Sequence, residues 1–240
     1  MWDNPRLLNG AADLLIGVAA LLLAYAGLQV LLRSPLFPLR EIALQGELIN
    51  TVRGDIEGAL QGAGGNFFAA DLGAIRDRLE RVRWVRRVEL RRVWPDRIEV
   101  KLEEHVALAR WGDAGLVNTF GEAFAARLDD DAEALLPEFA GPEGSAGELT
   151  RRYRRFSRLL AALGEVPERV TLTARYAWQL RLASGLHLEL GRDGAESVEQ
   201  RLARFVAAWP ESLAPLGRRV EHVDLRYPNG FALRVAGLKG

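Results

Sequence analysis

The chain has no cysteine, one methionine and only three histidines among 240 residues. The missing thiols exclude disulfides and thiolate metal sites. That is compatible with an oxidising compartment without requiring one. Charge of one sign is missing too: 32 Lys and Arg balance 32 Asp and Glu. A general nucleic-acid binder would be basic, so that class is set aside. No tandem repeat interrupts the chain.

What the sequence does have is one long apolar run. From Ala11 to Leu32 it reads AADLLIGVAALLLAYAGLQVLL, with Asp13 its only charge and Gln29 its only other strongly polar side chain. About 22 helical residues reach roughly 33 Å, enough to cross a bilayer core. The run is long for a signal-peptide core, and Leu31-Leu32-Arg33-Ser34-Pro35 lacks a small-x-small cleavage site. An uncleaved anchor is therefore expected. Arg6 precedes the run and Arg33 and Arg40 follow it, so the positive-inside count leaves orientation open. Gly17, Ala20, Ala24 and Gly27 are small enough to pack against another membrane helix.

After Pro35 and Pro38 the pattern becomes that of a soluble body. Leu39 to Gln45 alternates like a strand. Asn50 or Thr51 is placed to cap a helix reaching Gln61, with Val52, Ile56 and Leu60 on one face. Asp71 is placed to cap a second helix bearing Leu72, Ile75, Leu79 and Val82. Val88 and Leu90, then Ile98, Val100 and Leu102, alternate with charged residues around Trp94-Pro95-Asp96-Arg97, a hairpin pattern. The order strand, helix, helix, strand, strand predicts two helices on one face of a three-stranded sheet.

His105 to Phe124 is strand-like, broken at residues 112–115 and 120–122. Asp129 to Gly147 is acidic and then glycine-rich, and reads as loop. Leu149, Tyr153, Phe156, Leu160 and Leu163 mark a helix ending at Gly164. Val170 to Arg175, Trp178 to Ala183 and Leu186 to Leu190 read as strands. Val198, Leu202, Phe205, Val206 and Trp209 mark another helix, stopped by Pro210. Val220 to Tyr227 and Phe231 to Val235 flank Pro228-Asn229-Gly230, a hairpin signal.

No catalytic set emerges. His105, His187 and His222 are scattered, and the last two sit in alternating strands where structural histidines are the commoner case. Glu143-Gly144-Ser145-Ala146-Gly147 has Glu where a nucleophile elbow needs glycine. Gly62-Ala63-Gly64-Gly65 follows a helix and lacks the spacing of a phosphate cradle. Glu103 and Glu104 are neighbours on a strand and point to opposite faces, so they form no acid/base pair. Two arginine clusters, residues 86, 87, 91 and 92 and residues 151, 152, 154 and 155, read as solvated faces or as docking surfaces for acidic partners or anionic headgroups. The stronger functional candidate is the last strand. A terminal strand is expected at a sheet edge, where unpaired N–H and C=O groups accept a strand from another chain. Arg226 and Tyr227, just before the turn, are placed to anchor it.

Several stretches resemble one family: FPLREIALQGELINTV, WVRRVELRRVWPDRIEVKLEEHVALARW, LVNTFGEAF, YAWQLRLASGLHLELGR and VEHVDLRYPNGFALRV. They resemble the FtsQ/DivIB family of bacterial division proteins over nearly the whole chain. His105-Val106-Ala107 departs from the family pattern, which often has an aromatic or charged residue and then proline there.

The resemblance implies an α+β protein with one N-terminal transmembrane helix, a POTRA domain (β-α-α-β-β) and a C-terminal mixed α/β domain, the β domain, with an exposed edge strand. The implied boundaries are a cytoplasmic tail over 1–10, the span over 11–32, POTRA over 37–105 and the β domain over 106–236. It further implies a cytoplasmic N-terminus, a periplasmic C-terminal region and action at the division septum of the inner membrane. The implied role is a non-enzymatic, cofactor-free scaffold that binds FtsB, arriving with FtsL, and helps control septal peptidoglycan synthesis. The family's partner-binding positions fall on Arg226, Tyr227, Asn229, Gly230, Phe231 and Leu233. Its POTRA contacts with other division proteins fall on Val88, Leu90, Lys101 and Glu104, although a core role suits Val88 and Leu90 equally. The rival expectation is a POTRA-type module that passes polypeptides to an outer-membrane barrel. Such proteins repeat the POTRA unit and carry a barrel, whereas this pattern holds one unit.

Overall fold

A computed structural model describes residues 5–32, 34–112, 115–213 and 220–235. The chain divides into two compact units, Met1–Glu104 and His105–Gly240, and the mixture of helices and sheets makes it α+β.

The first unit opens with α1 (Pro5–Leu32). Within it Asn9–Leu32 is a 24-residue apolar helix with none of its length buried, about 36 Å long. It is a candidate membrane span. Next come β1 (Pro38–Leu39), β2 (Glu41–Gln45), α2 (Arg53–Leu60), β3 (Gly65–Asn66), α3 (Leu72–Leu79), β4 (Val85–Val93) and β5 (Arg97–Glu104). β5 is central, parallel to β2 and antiparallel to β4, while β1 pairs with β3. Arg40 splits the expected first strand because its N–H, and that of Glu41, turn to the Asp96 carbonyl. Ile56 of α2 and Ile75 and Leu79 of α3 pack on Val88, Ile98, Val100 and Leu102, so both helical stripes are buried on one face of the sheet.

The start of α2 differs from expectation. Its N-cap is Val52, exposed and making no side-chain cap. The amides of Ile49, Asn50 and Thr51 are instead taken by the Glu104 carboxylate, at 3.0, 3.1 and 2.8 Å. A carboxylate 53 residues downstream thus pins the segment leading into α2, rather than the first-turn amides of the helix. Partial burial raises the Glu104 pKa, but the nearby Thr51 hydroxyl and the three amides outweigh it and hold the group below the ordinary range. A depressed carboxylate contributes stability above its unfolded pKa and loses it as pH falls through the folded value. Glu104→Gln is therefore expected to destabilise the first unit by about 1–2 kcal/mol at pH 7, discounted for solvent exposure. The deficit should shrink as pH drops below the usual carboxylate range. Denaturant titrations at pH 7 and at low pH check this. Asp71 caps α3 as expected, accepting the Ala74 N–H at 3.0 Å.

The second unit is a nine-stranded sheet with helices on one face. Its elements are β6 (Ala107–Trp111), β7 (Gly115–Asn118), β8 (Ala123–Phe124), α4 (Asp130–Ala134), β9 (Glu138–Ala140), α5 (Ala146–Leu160), β10 (Pro167–Leu172), β11 (Trp178–Leu182), β12 (His187–Gly191), α6 (Val198–Ala208), β13 (Val220–Asp224) and β14 (Ala232–Val235). The strand order is β14-β13-β12-β11-β10-β9-β6-β7-β8. Two crossovers carry the helices. β9 and β10 are parallel through α5, and β12 and β13 are parallel through α6. The core gathers Phe156 and Leu160 of α5 and Leu202 and Phe205 of α6 with Val170, Leu180, Leu188 and Val223 of the sheet.

Three local readings change here. The presumed loop from Asp129 to Gly147 contains α4 and the interior strand β9, whose Phe139 is fully buried. Pro210 ends the α-helix at Ala208 but sits inside a π-helical turn, Trp209–Leu213, rather than terminating all helical structure. The last hairpin forms, but its strands are shorter than expected, and neither Asn229 nor Gly230 has a positive φ, so its connection is not a two-residue mirror-image turn. Seven residues, 225–231, separate β13 from β14.

Most arginines of the two clusters are held by partners within their own unit. Arg86 pairs with Glu103 at 2.8 Å and Arg91 with Glu99 at 2.6 Å. Arg92 donates to the carbonyls of Phe67 and Ala70 at 3.0 and 2.6 Å. In the second cluster Arg152 meets Asp193 at 2.5 Å and also Glu199, while Arg155 meets Glu199 at 3.1 Å. Arg154 donates to the Thr119 carbonyl.

Candidate partner-binding edge

Among the described residues, β14 closes one end of the nine-stranded sheet and pairs only with β13. In register, Val220 faces Val235, His222 faces Arg234, Val223 faces Leu233 and Asp224 faces Ala232. Ala232, Leu233 and Arg234 are all exposed, on both faces of the strand. Leu233 lies on the helix side with buried Val223, yet is still 37% exposed. Such a strand has one backbone edge and one apolar flank available.

The connection before β14 is held from two directions. Asp224, nearly buried, accepts from the Arg226 backbone N–H at 3.0 Å and from the guanidinium at Nε (2.9 Å) and Nη2 (2.6 Å). The Arg226 hydrogen bonds pull the Asp224 pKa below the usual range against the opposing effect of burial. The same pair raises that of Arg226. The Arg226 side chain nonetheless stays 59% exposed. It is oriented by a carboxylate and presented outward. Its stem lies over Gly191, where φ is +74° and a Cβ would come within 2.8 Å of Arg226 Cγ. Glycine at 191 thus leaves room for Arg226, a role only the fold reveals.

The second hold comes from α6. Arg204 Nη2 donates to the Tyr227 carbonyl and Nη1 to the Pro228 carbonyl, both at 2.9 Å. Nη1 also bonds Glu196, at 2.8 and 3.0 Å. The guanidinium sits 5.7 Å from the Phe231 ring centre, and Phe231 meets Phe205 edge-on at 6.0 Å. One planar fork thus ties both ends of the turn to the core helix. Sequence reading of α6 followed its apolar stripe and passed over Arg204. The available signal was an arginine set between two core positions, Leu202 and Phe205. Arg204→Ala is expected to free the turn and loosen the strand it leads into, with the hydrogen-bonded amides of β14 exchanging with solvent at least about tenfold faster while β11 is unaffected. Unchanged exchange would mean that the turn holds itself.

The result is a shallow depression of about 470 Å³ lined by Tyr227, Pro228, Asn229, Gly230, Phe231 and Ala232. The Tyr227 ring is 54% exposed beside it. The residues expected at the edge therefore lie together, with Leu233 next in the strand. The four POTRA positions do not gather into one surface, although Leu90 and Lys101 line one depression with Glu89 and Glu99. Val88 is buried in the first unit's core and Leu90 packs against it. Lys101, in register with Gln45 and Glu89, lies on the opposite sheet face, and Glu104 is occupied as described.

The histidines also find their places. His105 stacks on Phe124 with ring centres 4.1 Å apart, and its Nδ1 lies 2.8 Å from Asn118 Nδ2. Asn118 is itself fully buried, and its Oδ1 accepts from the amides of Phe120 and Glu122. His187 and His222 are not core histidines. They are direct neighbours on β12 and β13, outside the core. No group of three or more His, Asp or Glu placed to hold a metal occurs among the described residues.

Comparison with known proteins adds to this geometry. Residues 37–105 match the family model for the FtsQ-type POTRA domain, and residues 109–226 match the model for the C-terminal part of cell division protein FtsQ/DivIB. The chain belongs to the FtsQ/DivIB family. Cell division protein FtsQ of Burkholderia pseudomallei is 46% identical over 100% of this chain and 96% of its own length. FtsQ of Nitrosospira multiformis is 41% identical over 98% of this chain and 99% of that protein. FtsQ of Escherichia coli is 35% identical over 84% of this chain and 74% of its own length. Membership in the FtsQ family gives the chain a role in the cell-division machinery. With the apolar α1, it points to a single pass through the inner membrane.

Proposed function

We propose that this chain is a non-enzymatic scaffold of the division machinery that captures FtsB, together with FtsL, by strand addition at β14, and so helps control septal peptidoglycan synthesis. Its N-terminal tail, residues 1–10, lies in the cytoplasm. Residues 11–32 cross the inner membrane, and the POTRA domain (37–105) and β domain (106–236) act in the periplasm at the septum. Residue 236 itself lies outside the described residues. Other division proteins dock on the POTRA domain, and the scaffold needs no cofactor.

The observation that carries this reading is the open edge of β14 beside a braced turn. A strand added there gains a ladder of backbone hydrogen bonds. Tyr227, Phe231 and Leu233 supply the apolar contacts and Arg226 a charge for an acidic group. The brace matters because a pre-ordered edge loses little conformational entropy on binding. Site-specific photo-crosslinking of the full chain in dividing cells tests the reading. A crosslinker at Ala232 should capture FtsB, and one at Ala123, on the opposite edge strand β8, should not. Equal capture from both edges would refute the assignment.

A further inference from the structure

The face of the nine-stranded sheet turned away from α5 and α6 carries a transverse row of polar side chains. From the sheet interior outward it reads Glu138, Arg169, Arg181, His187, His222 and Arg234, each in register with the next. Their neighbours along the strands, such as Val170, Leu182, Leu188 and Val223, are buried on the other side. At its inner end Glu138 is shared between Arg169 and Arg110, which is in register with it on β6 and 3.7 Å away. Arg169 donates to Glu138 at 2.6 Å, and Arg181 meets exposed Glu168 at 3.3 Å. Beyond Arg181 no carboxylate stands in it.

Of the carboxylates beside the row, exposed Glu221 sits in the irregularity of β13 between Val220 and His222, and the other two are engaged. Glu189 accepts from Gln179 at 2.8 Å, and Asp224 is taken by Arg226. Arg234 therefore ends the row at the open edge, exposed and with no ion-pair partner among the described residues. Side chains directly opposite on one sheet face interact. Opposite charges there are favourable and like charges repel. A strand added to β14 extends this row by one position, whose neighbours are Arg234 and then two imidazoles.

We propose that Arg234 selects the partner's register, so that the incoming strand places an Asp or Glu opposite it. A lysine or arginine at that position would meet the positive end of the row. The chemistry recognised is a carboxylate on an extended segment, distinct from the one that Arg226 faces before the turn. This inference rests on the reading of β14 as an acceptor edge.

The test measures affinity of the full chain, in detergent, for the purified periplasmic FtsB–FtsL complex. Arg234→Glu should weaken binding about three- to tenfold at low salt, and high salt should shrink the difference. Each Asp and Glu of the strand-adding segment of FtsB is then changed to Lys. One of these, combined with Arg234→Glu, should restore affinity to within about twofold of wild type. If Arg234→Glu binds as wild type, or no swap restores affinity, while Tyr227→Glu still weakens binding on the order of a hundredfold, the register inference is overturned and the acceptor edge stands. If Tyr227→Glu binds normally as well, the acceptor edge is lost and the inference with it.

Discussion

Tyr227→Glu is expected to weaken FtsB binding on the order of a hundredfold while leaving the chain folded. The Tyr227 ring is half exposed and lies outside the buried core. What ties this residue to the fold is its backbone carbonyl, held by Arg204, and that contact survives a change of side chain. An exposed aromatic at the mouth of an apolar depression loses its contact area on substitution, and a carboxylate in its place must be desolvated against a partner strand. Tyr227→Phe separates the ring from the hydroxyl, and most of the affinity should remain with the ring. Circular dichroism and thermal unfolding verify the fold. Wild-type affinity for FtsB in the folded Tyr227→Glu chain would remove Tyr227 from the site.

The second large effect concerns stability. Phe139→Ala is expected to cost about 3–5 kcal/mol, the usual range for emptying a buried aromatic site. Phe139 is fully buried on β9, with the Tyr153 ring 5.3 Å away. β9 is three residues long and runs parallel to both β6 and β10. A cavity there falls where the two parts of the sheet join, so little can collapse to fill it. Phe139→Leu keeps most of the volume and should cost less than about 1.5 kcal/mol. Denaturant titration of the full chain gives both numbers. A loss below about 1 kcal/mol for the alanine variant would show that β9 is not an integral part of the sheet.

The same strand shows where sequence reading stopped. Alternation is visible in long strands, so the hairpin of β4 and β5 and the edge pair of β13 and β14 could be read directly. Three residues between Pro137 and Gly141 carry no period, and the parallel neighbours that make β9 a strand lie far away in the chain. The cap of α2 failed for a related reason. Asn50 and Thr51 are good local caps, but the Glu104 carboxylate, from the end of β5, takes their own backbone amides and that of Ile49 and fixes the chain before the helix starts at Arg53. The pairing of the last strand with β13 was legible from the alternation on either side of Pro228-Asn229-Gly230. Its bracing by Arg204 was not. It depends on a helix and a turn 23 residues apart in sequence meeting around one guanidinium. The pairing of His187 with His222 was hidden for the same reason, since a parallel crossover sets that register.

Hydrogen exchange on the full chain, with and without the periplasmic FtsB–FtsL complex, tests strand addition most directly. The β14 amides that point away from β13 should become protected on binding, and those of β8 at the opposite end of the sheet should not. Tight binding with no added protection anywhere along β14 would contradict the account.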